Sequence, residues 1–209
     1  MMDWMKNAVA VDNVEIDIGF NIRPSFYFGP SGGTFAKEFE HLHEKIYQPK
    51  ITLNEGCVLS RHVMGFESEL IKYYRDVIRL SQKHEKRLLD CDPHFWLFPF
   101  MYSTLDFPIS FPRYDHFDEC EYVFKALMSE TEGEIFDDED QGWELHIYLQ
   151  DGKLYFHQSD PQDSEQSQIQ VVVQQFPKSE LSKRLEQTQQ IINTLIKEFG
   201  FDRWSRHIY

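Results

Sequence analysis

Residues 143–157 read Trp-Glu-Leu-His-Ile-Tyr-Leu-Gln-Asp-Gly-Lys-Leu-Tyr-Phe-His, and this stretch decides the fold. In its first half, every second side chain belongs to a predicted buried face: Trp143, Leu145, Ile147 and Leu149. The side chains between them form the opposite face: Glu144, His146 and Tyr148. Asp-Gly at 151–152 then precedes a second alternating run, and a tight hairpin turn needs residues that accept positive φ. The sequence therefore predicts an antiparallel hairpin.

Further strands and helices are predicted around this hairpin. Residues 169–175 alternate in the same way, so they extend the hairpin into an antiparallel meander. Residues 14–28 also have a strand pattern, which Pro24 interrupts or confines to an edge. Apolar side chains at three- and four-residue spacing predict helices over 34–47, 66–89, 114–128 and 179–199. Residues 94–112, rich in aromatic side chains and proline, are expected as extended chain or buried loop.

Two details of these helices are predicted at single residues. Within 114–128, either Tyr122 or Val123 belongs to the apolar stripe. Gly200 follows the last helix directly and is placed to cap it, because glycine accepts the left-handed conformation at a helix end. The expected fold is α+β: an antiparallel sheet that includes a C-terminal meander, packed against several helices with a long C-terminal helix. We expect one domain over 1–209, with 1–65 as a candidate N-terminal sub-lobe.

Composition narrows the class of protein. The chain has 209 residues, and no apolar run approaches the roughly 20 residues needed to cross a bilayer. The first residues lack the pattern of a secretory signal. Cys57, Cys91 and Cys120 are widely spaced, which favours neither a disulfide framework nor a zinc site. We therefore expect a cytoplasmic protein that has no cofactor and does not act at a membrane.

The negative charge is concentrated in one quarter of the chain. Residues 115–165 hold sixteen Asp and Glu against Lys125 and Lys153, a net charge of −14 that equals the formal charge of the whole chain. The densest run is Asp137-Asp138-Glu139-Asp140, immediately before the hairpin. Concentrated negative charge attracts basic partners and repels nucleic acid. The run therefore predicts either a docking surface for a basic protein or a plain solvated loop.

Metal binding is not favoured by the acidic run or by the histidines. Counted as a calcium loop from Asp137, the twelfth position, where a bidentate Glu belongs, is Tyr148. His41 and His43 lie two residues apart, so on a helix they point in nearly opposite directions and cannot share one ion. We expect no metal site and no catalytic residue.

Aromatic side chains beside the acidic run complete the predicted docking surface. Aromatic groups next to charges are typical anchors of protein interfaces. The predicted protein-binding residues are Asp137, Asp138, Glu139 and Asp140 for steering, Glu144 beside them, and Trp143, Tyr148 and Tyr155 as anchors. Trp143 is equally suited to the core.

Residues 133–205 resemble a pattern found in small bacterial proteins. The pattern comprises Gly-Glu-Ile-Phe-Asp-Asp-Glu-Asp-Gln-Gly-Trp at 133–143, Gly-Lys-Leu-Tyr at 152–155, Asp-Pro at 160–161, Phe-Pro at 176–177, Ile-Ile at 191–192 and Gly-Phe-Asp-Arg-Trp at 200–204. The chain is similar to immunity proteins of polymorphic toxin systems, including contact-dependent inhibition. The resemblance implies a compact, acidic, cytoplasmic α+β protein that neutralises a cognate toxin, and it transfers no binding residue by motif. Nuclease toxins tend to be basic because they engage phosphates.

An alternative is a small-ligand binder or a hydrolase with an aromatic-lined pocket around residues 94–116. Its polar groups would be His94, Asp106, Asp115 and His116. Paired carboxylates across such a cleft are typical of glycoside hydrolases. A third alternative is a structural subunit of a larger assembly, and the sequence does not reveal the oligomeric state.

Overall fold

A computed structural model describes residues 2–30, 37–103, 109–114, 116–140, 143–159, 168–202 and 204. Its strands are β1 (Val9–Ala10), β2 (Glu15–Asn21), β3 (Ser25–Tyr27), β4 (His43–Lys45), β5 (Cys57–Leu59), β6 (Leu97–Tyr102), β7 (Gly133–Asp140), β8 (Trp143–Gln150), β9 (Lys153–Ser159) and β10 (Gln168–Gln174). Its α-helices are α1 (Ser60–Val63), α2 (Glu67–Lys83), α3 (Phe117–Leu127) and α4 (Lys178–Phe199). Shorter 3-10 helices cover Asp3–Lys6, Lys37–Leu42 and Leu88–His94.

The predicted α+β class is confirmed, because mostly antiparallel sheets combine with a long C-terminal helix. The largest sheet has the strand order β1-β10-β9-β8-β7, and two smaller sheets have the orders β5-β2-β6 and β3-β4. In the largest sheet β7, β8, β9 and β10 form an antiparallel meander, and β1 joins β10 in parallel. In the described chain, no helix has the length and hydropathy required for a membrane span.

The chain divides into two compact units that are interleaved in sequence. One comprises Met1–Asp17, Pro99–Pro112 and Cys120–Leu185, and the other comprises Ile18–Phe98, Arg113–Glu119 and Glu186–Tyr209. The prediction of one domain, with 1–65 as a sub-lobe, stays a prediction.

The predicted meander lies in the first unit and is confirmed in its turn and its faces. Asp151 and Gly152 have φ of 52° and 69°, the positive values that the hairpin turn requires. Side chains at alternate positions are at most 3% exposed on the inner face: Leu145, Ile147, Leu149, Leu154, Phe156, Val171 and Val173. The other face of β8 is only half-buried, as the alternation predicts.

Helix α2 in the second unit ends six residues before its predicted end at 89. Its apolar stripe is fully buried: Leu70, Tyr73, Tyr74, Val77 and Leu80. The helix stops because Glu85 adopts φ of 53° and the Lys86 N–H donates to the Ser81 carbonyl over 2.8 Å. That geometry is a Schellman cap with a non-glycine residue in the left-handed position. Because the position holds no glycine, the sequence pattern did not indicate that the helix ends here.

The end of α4 is confirmed at its predicted cap. Gly200 has φ of 69°, and the Phe201 N–H donates to the Ile196 carbonyl over 3.1 Å. The rings of Phe199 and Phe201 lie 5.5 Å apart. The bond from Phe201 to Ile196 is the 6→1 bond of a Schellman motif.

The helix predicted over 34–47 is wrong in its second half. Residues 31–36 lie outside the described chain, Lys37–Leu42 forms a 3-10 helix, and β4 follows as a strand. β4 pairs antiparallel with β3, and Ser25 Oγ lies 2.9 Å from His43 Nδ1. Pairing between separate segments therefore overrides the helical spacing. The interruption predicted at Pro24 is confirmed, since β2 ends at Asn21 and β3 begins at Ser25.

Candidate functional site

The acidic run forms an edge strand rather than a loop ahead of the hairpin. It belongs to β7, which pairs antiparallel with β8 at one end of the five-stranded order. A bulge between Glu134 and Phe136 shifts the register so that Phe136 lies opposite Ile147. Phe136 is 3% exposed, so the bulge turns one aromatic side chain of an otherwise acidic strand into the core.

Three acidic side chains of β7, which we call the acidic edge, extend along this strand: Asp137, Asp138 and Glu139. Asp137 and Glu139 are exposed, while Asp138 is half-buried on the other side of the strand, opposite Leu145. Asp140 ends the strand opposite Trp143, which is half-buried, and the Asp140 side chain is outside the described part. The structure therefore places the predicted steering residues consecutively on one sheet edge.

Charge is also concentrated across the β7–β8 ladder. Asp137 lies opposite His146, and Glu139 lies opposite Glu144. Like charges directly opposite each other in an antiparallel pair are destabilising. Glu144 also accepts a hydrogen bond from Ser159 Oγ over 3.2 Å, which fixes one carboxylate of the pair. The register thus places two acidic residues at one cross-strand position, an arrangement that charge repulsion disfavours.

His146 lies between two carboxylates on the outer face of the meander. Its Nδ1 is 2.7 Å from Glu134 Oε1, and its Nε2 is 3.9 Å from Glu144 Oε2. The His146 ring is one-third exposed, so the imidazole lies between the two acids within reach of solvent. Among the described residues, no group of three or more His, Cys, Asp or Glu side chains is arranged to hold a metal ion.

An aromatic cluster lies next to His146. Its central member is Trp4, which the sequence did not indicate. Trp4, on the 3-10 helix Asp3–Lys6, lies edge-on to Tyr148 at 5.7 Å and to Tyr155 at 6.3 Å, and it stacks on His157 at 5.2 Å. Tyr155 is consequently only 7% exposed. A lone tryptophan in a short N-terminal segment carries no pattern that could have revealed this contact.

Burial in this cluster shifts two pKa values. Burial, together with a hydrogen bond to Glu134, raises the pKa of Tyr148 to about 12, so the phenol stays protonated. Burial also lowers the pKa of His157, the nearby His146 lowers it further, and Glu144 opposes the change. The Nε2 atom of His157 is buried and has no hydrogen-bond partner. A neutral His157 fits this environment.

A groove of about 430 Å³ lies between α3 and the start of β7. Its walls include Tyr122, Lys125 and Ala126 on the helix and Glu134 and Ile135 on the strand.

Tyr122 is 60% exposed, and its ring lies 5.8 Å from that of Phe136. Val123 is fully buried, which decides between the two predicted members of the apolar stripe. Tyr122 is therefore a surface aromatic group next to the acidic strand.

Two of the polar groups predicted for the alternative pocket, His94 and His116, belong to the second unit. His94 is 5% exposed and its Nδ1 is 2.7 Å from the Tyr73 hydroxyl. Burial, aided by Arg23, lowers the pKa of His94 to about 3. The His116 N–H donates to Glu119 Oε2 at the start of α3, which is a helix-capping contact. Asp106 and Asp115 lie outside the described residues.

Neither protein-family models, nor curated proteins, nor solved structures give a match to this chain.

Proposed function

We propose that this chain is an immunity protein or antitoxin that acts in the cytoplasm, where it binds and neutralises a basic bacterial toxin of the nuclease type. The observation that supports this function is the acidic edge: three consecutive acids on an edge strand, of which Glu139 lies opposite a further acid, Glu144, on the neighbouring strand. The partner is a protein, since this charge repels nucleic acid and acidic membrane surfaces.

The mechanism follows from electrostatic competition. A nuclease binds phosphates with a basic cleft, and an acidic surface of similar extent can occupy that cleft in place of the nucleic acid. Opposite charges also steer the two proteins together and raise the association rate, an effect that salt weakens. Tyr122 and the half-buried Trp143 and Tyr148 would supply the apolar contacts that slow dissociation.

Acids on an edge strand have a second physical explanation. Charged side chains prevent unwanted pairing of sheet edges, and a protein needs no partner for that purpose. Two features favour docking over this explanation. Edge protection does not require an acid at Glu144, opposite Glu139 on the inner neighbouring strand, and an exposed tyrosine lies next to the same strand.

The test compares two neutralised variants in partner capture from the native host. The first is Asp137→Asn, Asp138→Asn, Glu139→Gln, and the control neutralises three exposed acids elsewhere: Asp12→Asn, Glu186→Gln, Asp202→Asn. We expect the wild type and the control to retain a basic protein that the first variant loses. That protein should arrest growth when it is expressed alone and be neutralised by the wild-type chain. Equal retention by all three chains, or a captured protein without toxicity, would contradict the proposal.

A further inference from the structure

Strand β7 forms one edge of the five-stranded sheet. Seven of its eight residues pair with β8, and Ile135 lies in the bulge. No other described strand pairs with the opposite side of β7, which we call the open edge. The other end of the sheet is the two-residue strand β1. Along an edge strand, alternate N–H and C=O groups point away from the sheet and can pair with another extended chain. The length of β7 suffices for a complete added strand.

The acidic side chains of β7 favour an added strand that carries positive charge. The exposed Asp137 and Glu139 lie on one face of the sheet and the half-buried Asp138 on the other, so an added strand meets two exposed acids at alternate positions of one face. A second copy of β7 would place acids beside acids, which is unfavourable. A strand with Lys or Arg at alternate positions would place a cation beside each exposed acid. The edge therefore repels its own copies and accepts a basic segment.

The groove beside α3 adds a position for an apolar side chain. Ile135, at the bulge of β7, and the exposed Tyr122 form two of its walls. The bulge bends the strand at this point, and a residue of the added strand that lies opposite it can direct its side chain between these two groups. The apolar contact lies at the N-terminal end of β7 and the acids toward its C-terminal end, which gives the added strand a register.

We propose that the partner binds by strand addition, in which an extended basic segment pairs through its backbone with the open edge of Gly133–Asp140. This inference rests on the proposed function and specifies how the acidic edge is recognised. Backbone hydrogen bonds supply affinity, the acids select a basic sequence, and the groove takes one apolar side chain.

The experiment uses the wild-type protein and three labelled peptides. The first is Lys-Thr-Lys-Val-Lys-Thr-Lys, blocked at both ends. The second has the same sequence and charge, with N-methyl groups on three consecutive central residues so that both edges lose donors. The third replaces every Lys with Glu. Fluorescence anisotropy gives the affinities, and hydrogen exchange reports on the amides of β7.

Strand addition predicts that the first peptide binds and slows exchange at alternate amides of β7. N-methylation should weaken binding about fivefold or more, because it removes one or two of the backbone hydrogen bonds that alternate residues of the peptide donate to β7. The Glu peptide should not bind. Equal affinity of the methylated and unmethylated peptides, or no binding of the first peptide, would overturn strand addition.

Neither of those outcomes would by itself remove the proposed function. Neutralisation of a toxin that depends on Asp137, Asp138 and Glu139 could proceed through side-chain charge alone. That function fails instead when the variant that neutralises these three acids protects cells from the toxin as well as the wild type does.

Discussion

Glu139 and Glu144 lie directly opposite each other in the β7–β8 ladder, so two carboxylates share one cross-strand position. Neither β7 nor β8 contains Lys or Arg. The imidazole of His146 on β8 lies 3.9 Å from the Glu144 carboxylate. The free protein therefore carries an internal repulsion that a cationic partner would relieve. Removing one carboxylate should have opposite effects on stability and on binding.

We expect Glu139→Gln to raise the Tm of the free protein by about 1–2 °C, since it removes a like-charge cross-strand pair. The same change should weaken binding of the basic peptide. Asp137→Asn is the matched control, because Asp137 lies opposite His146 and its removal relieves no repulsion. Thermal unfolding at low salt measures the difference. An unchanged or lower Tm for Glu139→Gln would contradict this account of the pair.

Trp4→Ala should uncover the aromatic cluster and raise the pKa of His157 toward its ordinary value. Stacked Trp4 contributes to the burial that lowers this pKa, so its removal admits water to the ring. We expect a loss of stability of about 1–2 kcal/mol from the lost aromatic contacts. NMR titration of the imidazole protons gives the pKa, with the same variant's His94 as the internal reference. A His157 pKa that stays where it is in the wild type would show that Trp4 does not desolvate the ring.

Tyr122→Ala should leave stability within about 1 kcal/mol, since the side chain is mostly exposed. If the groove receives an apolar side chain of the partner, affinity for the lysine peptide with its central valine should fall several-fold. Val123→Ala is the contrasting variant, because Val123 is fully buried and its truncation should lower stability instead. Undiminished peptide affinity of Tyr122→Ala would remove the groove from the binding surface.

His94 predicts a pH dependence of stability. Its pKa is about 3 in the folded protein and about 6.5 in the unfolded chain, so only the unfolded chain takes up this proton between these values. The contribution of His94 to the free energy of unfolding should therefore be fully present above about pH 6.5. It should decrease as the pH falls toward 3, by up to about 1.4 kcal/mol per pH unit.

The comparison for that prediction is His94→Gln, which cannot titrate and can still approach the Tyr73 hydroxyl. Its unfolding free energy should change less steeply with pH than that of the wild type, by about one proton between pH 6 and pH 4. Denaturant unfolding over this pH range provides the slopes. Parallel slopes for the two proteins would mean that His94 is not kept neutral by burial.

Local sequence rules succeeded where the structure depends on neighbouring residues. Positive φ is needed in the turn at Asp151 and Gly152 and at the cap residue Gly200. Glycine, and less often aspartate, accepts this conformation, so these residue types made both features predictable. The end of α2 was not predicted, because Glu85 takes the same conformation although glutamate rarely does so. The helical spacing before Tyr47 was overridden by the pairing of β3 with β4, which periodicity does not include.

The candidate surface shows the same division. The acids at 137–140 and the polar side of β8 could be named from the sequence, but their geometry could not. A charge run has no period of its own, so nothing in it indicated that β7 would be an edge strand with a bulge at Ile135. The contact between Trp4 and His157 joins residues that are distant in the chain, and no local pattern encodes it.

The sequence by itself determined the α+β class, the meander, the long final helix and the concentration of negative charge. These properties follow from hydrophobic period, turn chemistry and composition, which act over a few residues. Only the tertiary structure decided that the acids line an open sheet edge, that Glu139 opposes Glu144, and that Tyr155 lies beneath Trp4. Strand order and packing between distant segments decide such relationships, because they depend on the free energy of the whole fold rather than on any single segment.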